Sequence, residues 1–351
     1  MKRKIVSIFV SLCLMMGGVS TAYAADVIIS NSPSGIPDPT LYSQLLSQAD
    51  INGDGQLGMS EASTLETLVL IGEMESLEFE PIRSLEGLSY FSQVKSLVLT
   101  GSFDGLELSP FEALTQVEEL GWVLADNKSL AALPALPSVK MIGLVLGQVE
   151  DVTPLARYTH LRTLWIWGEP ISDLSPLSGL QELEVLALLQ TQVEDISPLA
   201  GLGALRELEI NLNPLSDIGP VAEMTQLEAL NLAFNQISTL PDMTGLTKLQ
   251  PEATWFVGNR LSADELRKNL PPQLADNASW VKANQYPFPG DLDGDNFITI
   301  ADVMEACKVL ARKSAEIEPT ADEIARGDLD EDGDVTIADV MEICKELART
   351  Y

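Results

Sequence analysis

The chain has 351 residues, and its 52 Asp and Glu residues outnumber its 21 Lys and Arg residues, which gives a formal net charge of −31. Such an acidic balance argues against nucleic acids and anionic membranes as partners, because their phosphates would be repelled. The three cysteines, one of them near the N-terminus, are too few for a disulfide scaffold.

Residues 1–24 are typical of a cleavable export signal. A basic start precedes the apolar run Ile5–Val19, and Ala22–Ala24 supplies a small-x-small cleavage site. The apolar run is too short for a membrane span. Cys13 would suit lipid attachment, but the bulky Leu12 stands where lipid-attachment signals resemble one another in having a small residue. We therefore expect simple secretion without membrane insertion.

Residues 25–40 are an irregular leader rich in Ser and Pro, and residues 41–64 are expected to cap the domain that follows. Residues 50–61 fit the EF-hand pattern D-x-N-x-D-G-x-L-x-x-x-E, between predicted helices Leu41–Ala49 and Met59–Thr64. A polar turn that caps a helix is the alternative, since EF-hands usually come in pairs and this loop has no nearby mate. The candidate calcium ligands are the side chains of Asp50, Asn52, Asp54 and Glu61 and the backbone carbonyl of Gln56.

Residues 65–261 repeat one pattern every 22 residues: L-x-x-L-x-L, a turn position, an Ile, Leu or Val, and a D-x-x-P-L-like corner. This period and leucine spacing predict an α/β leucine-rich-repeat solenoid, in which stacked repeats share one core and a parallel sheet. The first strand is expected at Leu65–Leu70, and corner prolines such as Pro176 turn the chain back on the convex side. The copies, whose first step is 23 residues, begin at Val94, Val117, Val139, Leu161, Leu183, Leu205 and Leu227.

These repeats resemble the 22-residue repeats of internalin-like bacterial surface proteins. In many such repeats an Asn near the ninth position satisfies backbone groups at the turn. Asn213, Asn235 and Asn259 fit that position, whereas Gly147, Glu169 and Thr191 do not. We therefore expect only part of an asparagine ladder.

Strand residues alternate between the two faces of a sheet, so the third, fifth and seventh positions of each repeat would line the concave face. Exposed apolar surface generally marks a partner site, and Trp often anchors an interface. The lack of polar groups around the tryptophans favours a protein partner, but a polysaccharide stays open because indole rings also stack on sugars. The alternatives are a filled cavity or a register shifted by one residue. The apolar patch comprises Met141, Val145, Trp165, Trp167, Val185 and Leu189.

Candidates for catalysis are weak. A glycosidase needs two carboxylates flanking a sugar cleft. Glu207 and Glu209 point the same way in one strand, but solvated polar positions explain them more simply. His160 is the one histidine and has no nucleophile or second His beside it, so we expect a loop role. No catalytic residue is predicted.

The repeat pattern decays after residue 259. Residues 262–284 are expected to form a C-terminal cap, in which Ser262 caps a short helix and Trp280 packs over the last repeat. Residues 285–289 then form a short, stiff linker.

Residues 290–351 contain a 12-residue D-x-D-x-D loop twice, 37 residues apart, and each copy is followed by one helix. This arrangement resembles a small all-α type I dockerin, the calcium-dependent module that docks enzymes into cohesins on cellulosome scaffolds. Backbone carbonyls of Phe297 and Asp334 would complete the two calcium sites, and Thr299 and Thr336 stand where a water is often bound. The resemblance implies as side-chain ligands Asp291, Asp293, Asp295 and Asp302 in one loop and Asp328, Asp330, Asp332 and Asp339 in the other.

The same resemblance implies two cohesin-facing sets, which are identical in residue type and suggest two related binding faces. An Ile-Ala pair replaces the Ser-Thr pair of some dockerins, so the choice of cohesin stays open. Cys307 and Cys344 lie beside these faces, where we expect packing as small apolar residues rather than a disulfide. The sets are Ile300, Ala301, Lys308 and Arg312, and Ile337, Ala338, Lys345 and Arg349.

The sequence favours a monomeric, non-catalytic cellulosome subunit with two calcium ions in the dockerin and one at residues 50–61. Its repeats would hold a protein or glycan partner. The competing hypothesis is a hidden glycoside hydrolase, since dockerins usually carry such enzymes, and a weaker third is inhibition or adhesion through the tryptophan patch. A segment as short as the dockerin buries little core, so its folding should be coupled to metal binding.

Overall fold

The computed structural model describes residues 26–74, 80–284, 290, 292, 300–313, 317–329 and 333–350, with backbone only at 282–283, 321–322, 325 and 345–350. The chain divides into two compact units, Met1–Leu205 and Arg206–Tyr351, and the division falls just after the first residue of a repeat. The predicted export signal and the linker at 285–289 lie outside the described residues. No helix among the described residues is long and apolar enough to cross a membrane.

Both units contain parallel strands that follow one another in chain order. Unit 1 holds β1 Thr67–Ile71, β2 Ser96–Thr100, β3 Glu119–Val123, β4 Met141–Val145, β5 Thr163–Trp167 and β6 Val185–Leu189. Unit 2 holds β7 Glu207–Asn211, β8 Ala229–Asn231 and β9 Thr254–Trp255. These parallel strands in chain order confirm the predicted leucine-rich-repeat fold. The first strand begins at Thr67, two residues later than the sequence predicts.

The leucine spacing decides which side chains enter the core. Leu164 and Ile166 of β5 are fully buried, and the strand register places them beside Leu186 and Leu188 of β6. Each such side chain contributes about 1.5–3 kcal/mol when it leaves water. One repeat cannot bury these residues alone, so the stability comes from stacking.

On the side of the repeats away from the strands, short 3₁₀ helices form where the corner prolines predict that the chain turns back. Each of four such helices has its proline in the first turn, where a fixed φ is compatible with the helix. The Asp two residues before the turn supports it; in one repeat an Asp173 carboxylate oxygen accepts from the Ser175 backbone N–H at 2.8 Å. The helices are Thr153–Arg157, Ser175–Leu177, Ser197–Leu199 and Gly219–Glu223.

The expectation that Glu169 lies outside the turn ladder is wrong. Its carboxylate is buried and accepts from the backbone N–H groups of Gly147, at 2.7 Å, and Val149, at 2.9 Å. A Cβ at Gly147 would stand 2.8 Å from Glu169 Oε1 and 2.3 Å from the Ala125 carbonyl oxygen, so only glycine fits there. A longer acidic side chain therefore does the work of the asparagine. Asn259 does that work in unit 2, accepting from the Ile237 N–H at 3.0 Å.

The N-terminal cap seals the first strand with glutamine side chains. Helix α1 (Pro39–Ala49) begins two residues earlier than predicted, and α2 (Met59–Ala62) ends two residues earlier. Gln48 of α1 accepts from the Val69 N–H at 2.8 Å and donates to the Val69 carbonyl at 2.7 Å. Gln44 does the same for Ile71, at 2.8 and 3.0 Å. The two amides thus replace a neighbouring strand at the sheet edge.

Residues 26–38 of the leader are irregular, as predicted, apart from one backbone bridge to the 50–61 loop. The Ile29 N–H donates to the Leu57 carbonyl at 2.8 Å, and the Met59 N–H donates to the Val27 carbonyl at 2.9 Å. The segment thus forms an antiparallel bridge with the end of the 50–61 loop. The leader therefore pairs with the 50–61 loop, for which the sequence shows no second EF-hand loop nearby.

Unit 1 also holds one short helix within its repeats, α3 (Asn127–Ala132).

The C-terminal cap seals the last strand in a comparable way. Three short helices follow the repeats: α4 Ala263–Asn269, α5 Pro272–Ala275 and α6 Ala278–Ala283. Trp280 is buried edge-to-face on Phe256, and its indole N–H donates to the Thr254 carbonyl at 2.8 Å. Asn284 accepts from the Phe256 N–H at 2.6 Å. Trp280 therefore packs over the last repeat, as the sequence predicts.

The last part of unit 2 is helical. Helices α7 (Ile300–Lys313) and α9 (Ile337–Thr350) pack on each other, and α8 (Ala321–Gly327) lies between them in sequence. Among the described residues their core is small: the buried apolar members are Ala306, Val309, Val335, Val340 and Ile343. Leu292, Val303, Leu310 and Leu329 are partly buried against it.

Candidate calcium loops and interaction faces

The described part of the second C-terminal loop is closed by its last aspartate. Asp339 is buried, and its two carboxylate oxygens accept from the N–H groups of Leu329 and Thr336, both at 2.7 Å. Asp328, the first loop residue, accepts from the Gly333 N–H at 2.8 Å, and Gly333 has a φ of 91°. These bonds wrap the backbone around the loop centre and orient both carboxylates.

Residues 50–61 repeat this bonding pattern. Glu61 is buried and accepts from the N–H groups of Ile51, at 3.1 Å, and Gly58, at 2.9 Å. Asp50 accepts from the Gly55 N–H at 2.9 Å, and Gly55 has a φ of 76°. The first and last carboxylates of the two loops therefore engage the same loop positions.

The donor chemistry fits a calcium ion. The predicted ligands are all oxygen atoms, which calcium prefers, and buried carboxylates such as Asp302 and Asp339 need a compensating positive partner or hydrogen bonds. In the described part of the chain, however, no three His, Cys, Asp or Glu side chains converge closely enough to hold a metal. Several predicted ligands lie outside the described residues, namely Asp291, Asp293, Asp295, Phe297, Thr299, Asp330 and Asp332. Calcium at residues 50–61 stays a prediction.

Two other loop residues have contacts that sequence reasoning did not foresee. The Asp334 carboxylate accepts from Lys313 Nζ, a contact that holds the pKa of that carboxyl below its usual range. The Thr336 hydroxyl lies 3.1 Å from an Asp339 carboxylate oxygen and accepts from the Ala338 N–H at 3.1 Å. The Asp334 side chain thus ties the loop to α7, and Thr336 caps α9.

The predicted cohesin-facing residues are at the surface wherever their side chains are described. Ile300 and Ile337 are 65% and 66% exposed, and Ala338 is exposed as well. Lys308 is exposed and paired with Glu305, and Arg312 is exposed and paired with Glu323. Ala301 is half-buried. Lys345 and Arg349 belong to α9, but their side chains lie outside the described part.

The structure adds residues that the sequence analysis missed or misjudged. Met304 and Met341 are 58% and 59% exposed. Cys307 and Cys344 are also exposed and unbonded, so the expectation that they pack as small apolar residues is wrong. All four follow Ile300 or Ile337 at intervals of four and seven residues, a helical spacing that could have revealed them.

The predicted apolar patch lies on the outward side of β4, β5 and β6. Paired neighbours are Met141, Thr163 and Val185 in one row, Gly143, Trp165 and Ala187 in the next, and Val145, Trp167 and Leu189 in the third. We name these nine residues the Trp165 face. Trp165 is 51% exposed, and the space above its neighbour Gly143 is open, with no atom within 4 Å of the point that a Cβ would occupy. The indole therefore borders a shallow slot.

Outward positions in unit 2 are more polar. The Glu209 carboxylate accepts from the side-chain amides of Asn211, at 2.6 Å, and Asn231, at 3.2 Å. Burial raises the pKa of Glu209, and these hydrogen bonds oppose the shift. The amide contacts indicate a structural role for this carboxylate. In unit 1, His160 is exposed and lies 3.0 Å from a Glu182 carboxylate oxygen, which agrees with the expected loop role.

Comparison with known proteins supports both halves of this description. Residues 289–348 match the family model of the dockerin type I domain. The chain is similar to internalin C2 from Listeria monocytogenes, with 26% identity and a TM-score of 0.51 over 69% of this chain and 100% of that one. It is similar in fold to an internalin F from the same organism, with 24% identity and a TM-score of 0.48 over 71% of this chain and 78% of that one. A search of curated proteins found no match. The chain is therefore a leucine-rich-repeat protein that carries a dockerin type I domain at residues 289–348.

Proposed function

We propose that this protein is a non-catalytic, extracellular subunit of a cellulosome-type assembly. Its dockerin binds a scaffold cohesin in a calcium-dependent manner, and its repeats bind a second protein. The observation that carries the proposal is the pair of duplicated loops and helices, in which Asp339 closes the described loop and Ile300 and Ile337 stand exposed at equivalent positions. The export signal predicted from the sequence supports an extracellular location for this activity.

Calcium would be required because the dockerin has little else to fold around. Its described buried apolar residues are few, namely Ala306, Val309, Val335, Val340 and Ile343. Carboxylates brought together without a cation would repel one another, which would disfavour the folded loop. The free energy of calcium binding would therefore contribute directly to the free energy of folding. The loop residues would hold the ion, and the helices would then present the cohesin-facing side chains.

The Trp165 face supports a protein partner for the repeats. Of its nine side-chain positions, only Thr163 offers a hydroxyl, and the others are apolar or glycine. A sugar would need several hydrogen-bonding groups around the indole, whereas an apolar side chain of a protein would fill the slot over Gly143 without them. Polysaccharide binding is the alternative, and a glycoside hydrolase activity is the weaker one.

A third calcium ion at residues 50–61 belongs to the same proposal. The loop has the same pattern of internal backbone hydrogen bonds as the second dockerin loop, and it lies between α1, which seals β1, and α2. The ion would stabilise the cap rather than take part in docking.

The docking proposal is tested with the full secreted chain and a panel of cohesins, in calcium and in chelator. We expect tight binding to at least one cohesin in calcium and none in chelator. Asp339→Ala should abolish binding, because Asp339 closes its loop. Asp334→Ala is the matched control: its side chain contacts Lys313, only its carbonyl is a predicted ligand, and binding should persist. Equal loss in both variants would contradict the assignment of Asp339.

The repeat partner is tested by replacing Trp165. Secreted proteins captured by the wild-type chain should be lost with Trp165→Ala and with Gly143→Leu, which fills the slot. Trp255→Ala, which removes an exposed tryptophan from unit 2, is the control and should retain them. Binding of soluble plant polysaccharides that depends on Trp165 would instead support the glycan alternative, and release of sugar would support the enzyme.

A further inference from the structure

The hydrogen bonds of the loop at residues 50–61, which we name the cap loop, divide it into two halves. The first half is held by the loop's own carboxylates; Asp50, for example, accepts from the Gly55 N–H at 2.9 Å. Residues 57–60 also bond to residues 26–29, which we name the leader strand. The second half of the loop therefore relies on another segment of the chain as well as on itself.

The leader strand bonds to the second half of the loop along its backbone. The Ile29 N–H donates to the Leu57 carbonyl at 2.8 Å, and the Val27 carbonyl accepts from the Met59 N–H at 2.9 Å. The side chains of Ile29 and Leu57 are both buried, so this end of the contact is shielded from water. The leader strand thus fixes the backbone that directly follows Gln56, whose carbonyl is a predicted calcium ligand.

Asp26 holds the other end of this half of the loop. Its Oδ2 atom accepts from the backbone N–H of Ser60 at 2.9 Å, and also from the Ser60 hydroxyl. Ser60 directly precedes Glu61, the predicted ligand that closes the loop. The contacts at Leu57 and Ser60 therefore brace the segment that carries Gln56 and Glu61.

Gly58 is explained by the same contact. Its φ of −85° and ψ of 148° are extended values that any residue can adopt, so the backbone conformation does not require glycine. A Cβ at this position would stand 2.2 Å from Asp26 Oδ2. The glycine therefore makes room for the leader carboxylate. This steric fit ties the two segments together independently of their hydrogen bonds.

We propose that the leader strand positions the predicted calcium site of the cap loop, with Asp26 as its main positioning residue. By bracing the second half of the loop before the metal arrives, it keeps the Gln56 carbonyl and Glu61 in the arrangement that the ion requires. An ion binds more tightly when a larger fraction of the molecules already has the competent conformation. This inference rests on the proposed calcium ion at residues 50–61 and adds the residues that set its affinity.

Calcium titrations of the full secreted chain test the proposal. The readout is amide hydrogen exchange in residues 50–62, which reports the cap loop separately from the dockerin loops. Asp26→Ala removes the acceptor for Ser60. It should raise the calcium concentration at the midpoint of protection by about tenfold, because a hydrogen bond to a charged group contributes an effect of that size. Asp26→Asn keeps one acceptor oxygen and should restore most of the wild-type affinity.

Val27→Ala is the matched control. It shortens a side chain that is 70% exposed but keeps the backbone carbonyl that accepts from Met59, so its midpoint should equal that of the wild type. Protection of helix α1 in chelator shows whether the cap of each variant is folded.

Gly58→Ala tests the contact from the loop side. Its methyl group would displace the Asp26 carboxylate, so this variant should also raise the midpoint. The double variant Asp26→Ala, Gly58→Ala should bind calcium no more weakly than Asp26→Ala, because the contact is already lost. If Asp26→Ala fails to fold, Ser60→Ala replaces it: this variant loses only the hydroxyl donor and should raise the midpoint by a smaller factor.

The outcomes separate this inference from the calcium site itself. A clear calcium effect in the wild type, with unchanged midpoints in the folded variants at Asp26, Gly58 and Ser60, would overturn the inference and leave the calcium site standing. Exchange in residues 50–62 that does not respond to calcium in the wild type would overturn both.

Discussion

Glu61 and Asp339 close two distant loops with the same backbone hydrogen bonds. Each carboxylate accepts from the second and the ninth N–H of its loop, which belong to Ile51 and Gly58 in one case and to Leu329 and Thr336 in the other. One loop lies in the cap of the repeats and the other in the dockerin. The shared closure gives the cap loop a physical likeness to a dockerin calcium loop, beyond the sequence pattern.

Calcium should rigidify the cap loop through Glu61. We expect slower amide hydrogen exchange in residues 50–62 with calcium than with chelator, because the ion would favour the closed loop. Glu61→Ala should remove the calcium effect and also destabilise the cap, at about 1–3 kcal/mol for each backbone N–H left unpaired. Glu66→Ala, at an exposed glutamate paired with Lys95, is the control. Identical exchange with calcium and chelator would contradict a metal site here.

The side-chain hydrogen bonds of Gln44 and Gln48 to β1, which we call the glutamine clamp, should contribute measurably to stability. Gln44→Met and Gln48→Met keep the side-chain length but remove the groups that bond Ile71 and Val69. Each variant should lower the free energy of unfolding by about 1–3 kcal/mol and expose a sheet edge that promotes aggregation. Denaturant unfolding and light scattering would measure both effects. Gln192→Met, at an exposed position, serves as the control, and equal behaviour of all three variants would count against the clamp.

Glu169 should be essential to its turn. Glu169→Ala leaves the N–H groups of Gly147 and Val149 without their acceptor, and we expect a cost of about 1–3 kcal/mol for each of them. Glu169→Gln keeps one acceptor oxygen and should cost less. Urea unfolding curves of both variants would check the order. A Glu169→Ala variant as stable as the wild type would show that the buried carboxylate does not support the ladder.

The aspartates at the corners of the repeats should make the repeats sensitive to acid. Hydrogen bonds from Thr153, Ser175, Ser197 and Thr244 lower the pKa of Asp151, Asp173, Asp195 and Asp242 respectively. Because the folded-state pKa values lie below the ordinary one, their contribution is present above about pH 4 and is lost as the pH falls through the lowered values.

Unfolding free energies measured across the acid range test this dependence. The decline below about pH 4 should be shallower in Asp173→Asn, which cannot titrate, and in Ser175→Ala, which loses the hydroxyl donor but keeps the N–H. A decline as steep as that of the wild type in both variants would contradict the assignment of the acid sensitivity to these turns.

The sequence predicted the repeats well because their determinants are local and periodic. Leu164 and Ile166 alternate with outward residues, and Pro176 marks its turn, so strand, core and corner follow from spacing alone. The clamp on β1 could not be predicted in this way. Gln48 and Val69 are 21 residues apart, and a glutamine on a helix gives no signal that it will bond a strand edge.

Two other predictions were wrong: one concerned the residue type at the turn position of the ladder, and the other concerned the exposure of a cysteine. Glu169 does not fit the asparagine pattern, yet its longer carboxylate side chain reaches the same N–H groups. The expectation that Cys307 packs inside rests on the general burial of free cysteines. Its exposure depends on which helix face meets the small dockerin core, and this follows from tertiary packing rather than from residue type.

The most direct test of the account is cohesin binding by the full secreted chain in calcium and in chelator. We predict tight binding to at least one cohesin in calcium, loss of that binding in chelator, and loss with Asp339→Ala but not with Asp334→Ala. A chain that folds with calcium yet binds no cohesin, or one that binds equally well in chelator, would contradict calcium-dependent docking.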